Sequence, residues 1–215
     1  MSNNTYPQLQ LAVDVLSIEE MLRIADLVYP SFDILEVGTC LIIEEGLSAV
    51  EAVKAKYPDK KCLADLKIMD AAQFEASSGF ERGSDIITVL AAADDKTILD
   101  TLEIAVKYDK QVMVDLLNVA DPVGRAVELE NLGVQIICLH TAYDLKEENI
   151  DPTAHLIAVR DVVNCTLAVA GGIKLDNVAR AIAAGADIAI VGGAITKHPQ
   201  PRDAAAEFFR IIKEG

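Results

Sequence analysis

The chain has 215 residues, 52% of them apolar, and a formal net charge of −15. That length and apolar share suit one domain built on a large core. The charge argues against nucleic acid or anionic lipid as partners, since both are bound through Lys and Arg, and no apolar run approaches the roughly 20 residues of a membrane span.

Taken in chain order, the polar opening "MSNNTYPQLQ" lacks the basic-then-apolar order of a secretory signal, so a cytoplasmic protein is expected. "LQLAVDV" predicts a first strand ending at Asp14, and "SIEEMLRIADLVY" a helix with Ser17 as N-cap. "FDILEVG" follows as a strand carrying Glu36, then "GLSAVEAVKAKY" as a helix. "KCLADLK" predicts a third strand ending in Asp65 and Lys67, with Asp70 at the start of the next helix. A fourth strand, "DIITVL", runs into "AAADD", which offers little chemistry. "QVMVDLL" carries Asp115 and "VQIICLH" ends in His140. The connection after His140, "TAYDLKEENIDPTAHL", is longer and more polar than the others and is expected to form a lid. "TLAVAGG" and "DIAIVGG" close with Gly171-Gly172 and Gly192-Gly193, and "DAAAEFFRIIKEG" predicts a last helix capped by Asp203. Cys40, Cys62, Cys138 and Cys165 never fall as C-x-x-C and read as reduced core residues.

Near-continuous apolar strands alternating with amphipathic helices mean a parallel sheet covered by helices. "SFDILEVG", "RGSDIITV", "LGVQIICL" and "AGADIAIVG" resemble one another, with Asp33, Asp85, Gln135 and Asp187 spaced 52, 50 and 52 residues apart. Each period is two βα units, and four such pairs close into an eight-stranded (β/α)8 TIM barrel. An open doubly wound sheet competes, but its first turn is expected to carry G-x-G-x-x-G, and here that turn reads "VDVLSIEE". With no linker or low-complexity segment, residues 1–215 are read as a single barrel domain.

Barrels carry chemistry at the C-terminal ends of their strands. Alternation directs Asp65 and Lys67 to one face, and Asp70 returns toward Lys67 from the following helix start. A structural ion-pair network accounts for that triplet alone; the convergence of Glu36, Asp115 and His140 on the same mouth favours catalysis. Carboxylates keep Lys67 cationic, suited to stabilising developing negative charge. Glu36 and Asp65 supply two hard oxygen ligands of the kind Mg²⁺ takes while keeping waters; an ion pair between Glu36 and Lys67 fits the same spacing. Imidazole titrates near neutral pH, which makes His140 the candidate for proton transfer. His155 and His198 lack such company and are read as surface residues. The paired glycines of strands seven and eight suit backbone contacts to a phosphate, and also plain turns.

Asp14 in "AVD", Glu36 in "LEVG", the D-x-K-x-x-D of Asp65, Lys67 and Asp70, His140 in "CLHTAYD" and "AVAGGIK…IVGGAI" together resemble the orotidine 5′-monophosphate decarboxylase suprafamily over essentially the whole chain. The resemblance implies a barrel, a phosphate site at strands seven and eight formed by Gly171, Gly172, Gly192 and Gly193, and active sites completed across a homodimer interface. Orotidine decarboxylases have a lysine where this chain has Glu36. Keto-gulonate-phosphate decarboxylases typically have Glu, Arg and Thr where this chain has Asp115, Tyr143 and Ala170. The hexulose-phosphate synthase branch agrees at Asp115 and Ala170. That branch implies a Mg²⁺-dependent aldol addition of formaldehyde to D-ribulose 5-phosphate. Glu36 and Asp65 then hold the metal, Lys67 stabilises an enediolate and His140 moves the C1 proton. Asp70 reaches the neighbouring subunit's site, and Asp14 and Asp115 hold substrate hydroxyls or waters. Many relatives bind phosphate through an arginine where this chain has Gly193, which shifts that work to backbone N–H groups and Lys174. Keto-gulonate-phosphate decarboxylation and a non-catalytic sugar-phosphate-binding barrel are the competing expectations.

Overall fold

Chain order is also barrel order. In the computed structural model, which describes residues 7–148 and 153–214, eight parallel strands close into a ring in sequence order, as the repeat predicts. The first half comprises β1 (Gln8–Val13), α1 (Ile18–Val28), β2 (Ile34–Val37), α2 (Thr39–Glu45), α3 (Ser48–Lys56), β3 (Lys61–Ile68), α4 (Ala72–Glu81) and β4 (Ile86–Leu90). The second half comprises α5 (Asp95–Tyr108), β5 (Gln111–Asp115), α6 (Pro122–Asn131), β6 (Ile136–His140), α7 (Leu156–Arg160), β7 (Thr166–Ala170), α8 (Val178–Ala183), β8 (Ile188–Val191), α9 (Gly193–Thr196) and α10 (Pro201–Glu214). The ring closes through Gln10↔Ile190 and Leu11↔Val191.

Both strand phases are buried, which is why the strands read as unbroken apolar runs. One phase, including Leu11, Leu35, Ile87 and Val169, packs outward under the helices. The other, including Ile34, Leu63, Ile86 and Met113, fills the barrel. Among the described residues no helix is long and apolar enough to cross a membrane.

The repeat has a physical purpose at the N-terminal end of the barrel. Asp33 accepts the Leu9 N–H at 2.8 Å and pairs with Lys213 at 2.9 Å. Asp85 accepts the Cys62 N–H at 3.0 Å and pairs with Lys54 and Lys110 at 2.8 and 2.6 Å. Asp187 accepts the Leu167 N–H at 2.9 Å and pairs with Arg160 at 3.2 Å. In each case the aspartate's own N–H donates back to the same strand residue, so a carboxylate staples two strands together. Gln135 occupies the fourth position, is exposed, and among the described residues bonds β5 with neither its side chain nor its N–H. The glycines two residues ahead of Asp85, Gln135 and Asp187 have φ of +96°, +93° and +101°. Each ends a helix with the paired 6→1 and 5→2 bonds that a left-handed residue permits.

Three local expectations need correction or limits. Ser17 caps α1, accepting the Glu20 N–H at 3.3 Å, whereas Asp203 lies inside the first turn of α10 because Pro201, with φ already helical, starts that helix. Cys62 and Cys138 are buried core residues, but Cys40 is exposed, because it lies in the first turn of α2 on the barrel rim. The proposed lid contains a 3-10 turn at Tyr143–Glu148, and its residues 149–152 lie outside the described residues.

Candidate active site

The C-terminal mouth gathers most of the predicted residues, and β3 arranges them by breaking its own alternation. Leu63 and Ala64 pair with Ile86 and Ile87, and Ile68 pairs with Val89, so Asp65, Leu66 and Lys67 together face Thr88 alone. Lys67 takes φ +48° at this bulge, a conformation that disfavours a non-glycine residue and that surrounding contacts must hold. Thr88 Oγ1 supplies them, accepting the Lys67 N–H and donating to Asp65 Oδ1, both at 2.8 Å. Asp65 and Lys67 thus share the mouth as expected, by a bulge instead of simple alternation.

Asp65 Oδ2 receives the Lys67 ammonium in a close ion pair and the Thr39 hydroxyl at 2.7 Å. Lys67 Nζ also donates to Thr39 Oγ1 at 3.2 Å. Burial works against both charges, but each outweighs it for the other: the Asp65 carboxyl is held below its ordinary range and the Lys67 ammonium above its own. The pair is therefore ionised at neutral pH.

Glu36 sits in register between Ala12 of β1 and Leu63 of β3. It makes no ion pair with Lys67; its partner is Gln10, whose Nε2 donates to Oε2 at 2.6 Å. Burial first, and then the Asp65 carboxylate, push the Glu36 carboxyl up to about 8. Two inward carboxylates that repel one another, with one lysine between their charges, make an arrangement that a hard divalent cation would relieve. Among the described residues no three His, Cys, Asp or Glu side chains group as a metal site. Two carboxylates with the remaining positions left for water and substrate is the pattern Mg²⁺ accepts, so the donor set fits that ion.

Two strands on around the mouth, His140 Nδ1 lies 2.7 Å from Asp115 Oδ2, while Asp115 Oδ1 accepts the Leu117 N–H at 2.9 Å. A carboxylate against Nδ1 holds the proton there and leaves Nε2 with its lone pair. Asp115, expected to hold substrate hydroxyls or waters, also meets the imidazole within the chain, because its inward position on β5 sets it beside the end of β6.

Asp14 is exposed at the end of β1 and lies between two glycines. A Cβ on Gly38 would collide with Asp14 Oδ1, and one on Gly192 would meet Oδ2 at 3.9 Å. Gly171 and Gly172 have φ of +83° and +79°, and a Cβ on Gly171 would collide with the Thr141 carbonyl. Asn177 braces this turn, accepting the Lys174 N–H at 2.8 Å and donating to the Gly172 carbonyl at 2.9 Å. Gly192 caps α9 and Gly193 begins it, so a helix start points from β8 beside the β7 turn. Lys174 is exposed at the rim. Asp70 is exposed two residues before α4 and, among the described residues, makes neither a hydrogen bond nor an ion pair. It does not return to Lys67 within the chain, because the left-handed Ala71 turns the backbone away. His155 and His198 are exposed, as expected.

Gln10, Thr39 and Thr88 are members of this site that charge and motif do not reveal. The available signal is phase: Gln10 and Thr88 share the inward phase with Ala12 and Ile86, where a polar residue is conspicuous among aliphatics.

A model of the orotidine 5′-phosphate decarboxylase / HUMPS family matches residues 7–208. A 3-hexulose-6-phosphate synthase of Bacillus subtilis is 43% identical over 97% of this chain and the full length of that protein. The solved structure of 3-hexulose-6-phosphate synthase from Salmonella typhimurium superposes with a TM-score of 0.94 at 38% identity, covering 96% of this chain and 99% of the other. That of 3-keto-L-gulonate-6-phosphate decarboxylase from Vibrio cholerae shares the fold, with a TM-score of 0.84 at 23% identity over 97% of this chain and 98% of the other. With the barrel, the D-x-K-x-x-D strand and a full-length match in agreement, the chain belongs to the orotidine 5′-phosphate decarboxylase / HUMPS family.

Proposed function

We propose that the chain is a 3-hexulose-6-phosphate synthase, an aldehyde-lyase that adds formaldehyde to D-ribulose 5-phosphate to give D-arabino-3-hexulose 6-phosphate, and runs the reverse. The observation that carries this reading is the His140–Asp115 pair at the same mouth as the Asp65–Lys67 pair. One pair offers a base and the other a fixed positive charge, which are what removal of a proton next to a carbonyl requires. The 43% identity to a synthase along the whole chain supports the choice of branch.

His140 Nε2 takes the C1 proton of ribulose 5-phosphate, and Asp115 holds the ring and stabilises the imidazolium that results. The Lys67 ammonium offsets the negative charge left on the enediolate. The enediolate carbon then bonds to the formaldehyde carbon, and the carbonyl oxygen of formaldehyde takes up a proton. Glu36 and Asp65 would hold Mg²⁺, which when bound supplies Lewis acidity toward substrate oxygens. Gly171, Gly172, Gly192 and Gly193 bring backbone N–H groups to the phosphate end, and Asp14 lies where a sugar hydroxyl would pass. The exposed Asp70, unpaired among the described residues, and its apolar exposed neighbours Met69 and Phe74 support a homodimer in which Asp70 serves the neighbouring site.

Formaldehyde consumption with ribulose 5-phosphate, run with Mg²⁺ and with EDTA, tests the proposal; loss that needs both the sugar phosphate and the metal is expected. Release of CO₂ from 3-keto-L-gulonate 6-phosphate without formaldehyde loss would move the chain to the decarboxylase branch. Sugar-phosphate binding without turnover on either substrate would leave a binding barrel.

A further inference from the structure

The barrel floor below the mouth is aliphatic, lined by Ile34, Leu63, Ile86, Met113 and Ile188, and one amide intrudes on it. Gln10 is 1% exposed and stands in register between Ile34 of β2 and Ile190 of β8. Its Nε2 donates to Glu36 Oε2 at 2.6 Å. Its Oε1 is the one buried side-chain polar atom, among the described residues, that has no hydrogen-bond partner. A buried acceptor left unpaired is unfavourable, and an apolar side chain of the same length would avoid it. Packing therefore does not call for an amide here. What the amide adds is a single short hydrogen bond to Glu36.

We infer that Gln10 is a positioning residue that fixes Glu36 from below, occupying Oε2 so that Oε1 is left free for a divalent cation held with Asp65. The inference rests on the proposed role of Glu36 as a metal ligand. Such ligands need a partner behind them to hold their orientation, and removal of that partner typically weakens metal binding about 10- to 100-fold. Thr39 and Thr88 do the same for Asp65, by hydrogen bonds of 2.7 and 2.8 Å, so both candidate ligands are braced by uncharged side chains.

The test is titration of Mn²⁺ into the full chain without substrate, followed by electron paramagnetic resonance, for wild type, Glu36→Gln, Gln10→Met and Gln10→Asn. Gln10→Met keeps length and loses the donor; Gln10→Asn keeps the amide and loses its reach. Both are expected to bind Mn²⁺ about 10- to 100-fold more weakly, and Gln10→Met to melt close to wild type because it exchanges one orphaned acceptor, Gln10 Oε1, for another, Glu36 Oε2. Unchanged affinity in either variant, with binding abolished in Glu36→Gln, would overturn the role of Gln10 and leave the metal reading intact. A lower melting temperature in Gln10→Met with unchanged affinity would make the amide a packing element instead. No Mn²⁺ binding by wild type, or wild-type binding by Glu36→Gln, would remove Glu36 as a ligand and the inference with it.

Discussion

The two ends of the barrel use the same residue types to opposite effect. At the N-terminal end, Asp33, Asp85 and Asp187 each have a strand N–H and at least one cationic side chain to satisfy them. At the C-terminal end, Glu36 and Asp65 face a single lysine, and Asp115 spends its charge on an imidazole. Balanced charges hold strands in place; unbalanced ones leave an unmet demand for positive charge, of the kind a divalent cation would answer. Aspartate at a strand boundary is thus either a staple or a tool, and the count of cations around it decides which.

Substitutions on either side sharpen that contrast. The largest effect is expected for Lys67→Ala, which removes the only cation that, among the described residues, is in contact with Asp65. Turnover should fall roughly a thousand-fold, the scale of losing a preorganised charge at a developing anion, while circular dichroism still reports a folded barrel. Near-normal turnover would take Lys67 out of the mechanism. Asp85→Ala at the other end should do the reverse. It strands Lys54, Lys110 and the Cys62 N–H, so urea unfolding should show a loss on the order of 2 kcal/mol, with kcat/KM unchanged. A fall in kcat/KM would mean that the two ends are coupled.

The smallest effect is a slope. In the metal-free protein the folded Glu36 carboxyl keeps its proton up to about 8, whereas the unfolded one releases it near the ordinary 4.5. The folded state therefore binds more protons over that window, and stability falls as pH rises through it. Glu36→Gln should flatten the dependence of the melting temperature on pH between about 5 and 8, and an equal slope in both proteins would locate the titration elsewhere. The Asp85 staple has the opposite sign: its carboxyl is held low despite burial by Lys110 and Lys54, so its contribution is present at neutral pH and lost as pH falls below the ordinary carboxylate range.

Much of the fold, and the charged half of the site, is legible in the sequence. All eight strands declare themselves because burial on both faces makes them continuous apolar runs, and the charged residues at their ends stand out against that background. Thr39 and Thr88 escape notice because threonine is an ordinary strand and cap residue, and Gln10 because one uncharged residue in "LQLAV" breaks no pattern. The bulge at Lys67 is invisible to period-two reasoning, which assumes regular pairing. Motif and charge set Asp70 and Asp115 at the C-terminal end of the barrel but do not name their partners within the chain. Register and the turn at Ala71 decide those partners, and neither is written in local sequence.

A ring is only as closed as its weakest joint. Three of the four repeats bolt neighbouring strands together at the N-terminal rim; the fourth, at Gln135, among the described residues leaves β5 and β6 to their ladder and their packing. The four strand pairs that the repeat defines are thus unequal: β1–β2, β3–β4 and β7–β8 each carry a carboxylate staple at this rim, and among the described residues β5–β6 does not. Those strands carry Asp115 and His140 at their other ends, so the imidazole–carboxylate contact joins at the mouth the one pair of strands that the repeat leaves unjoined at the floor.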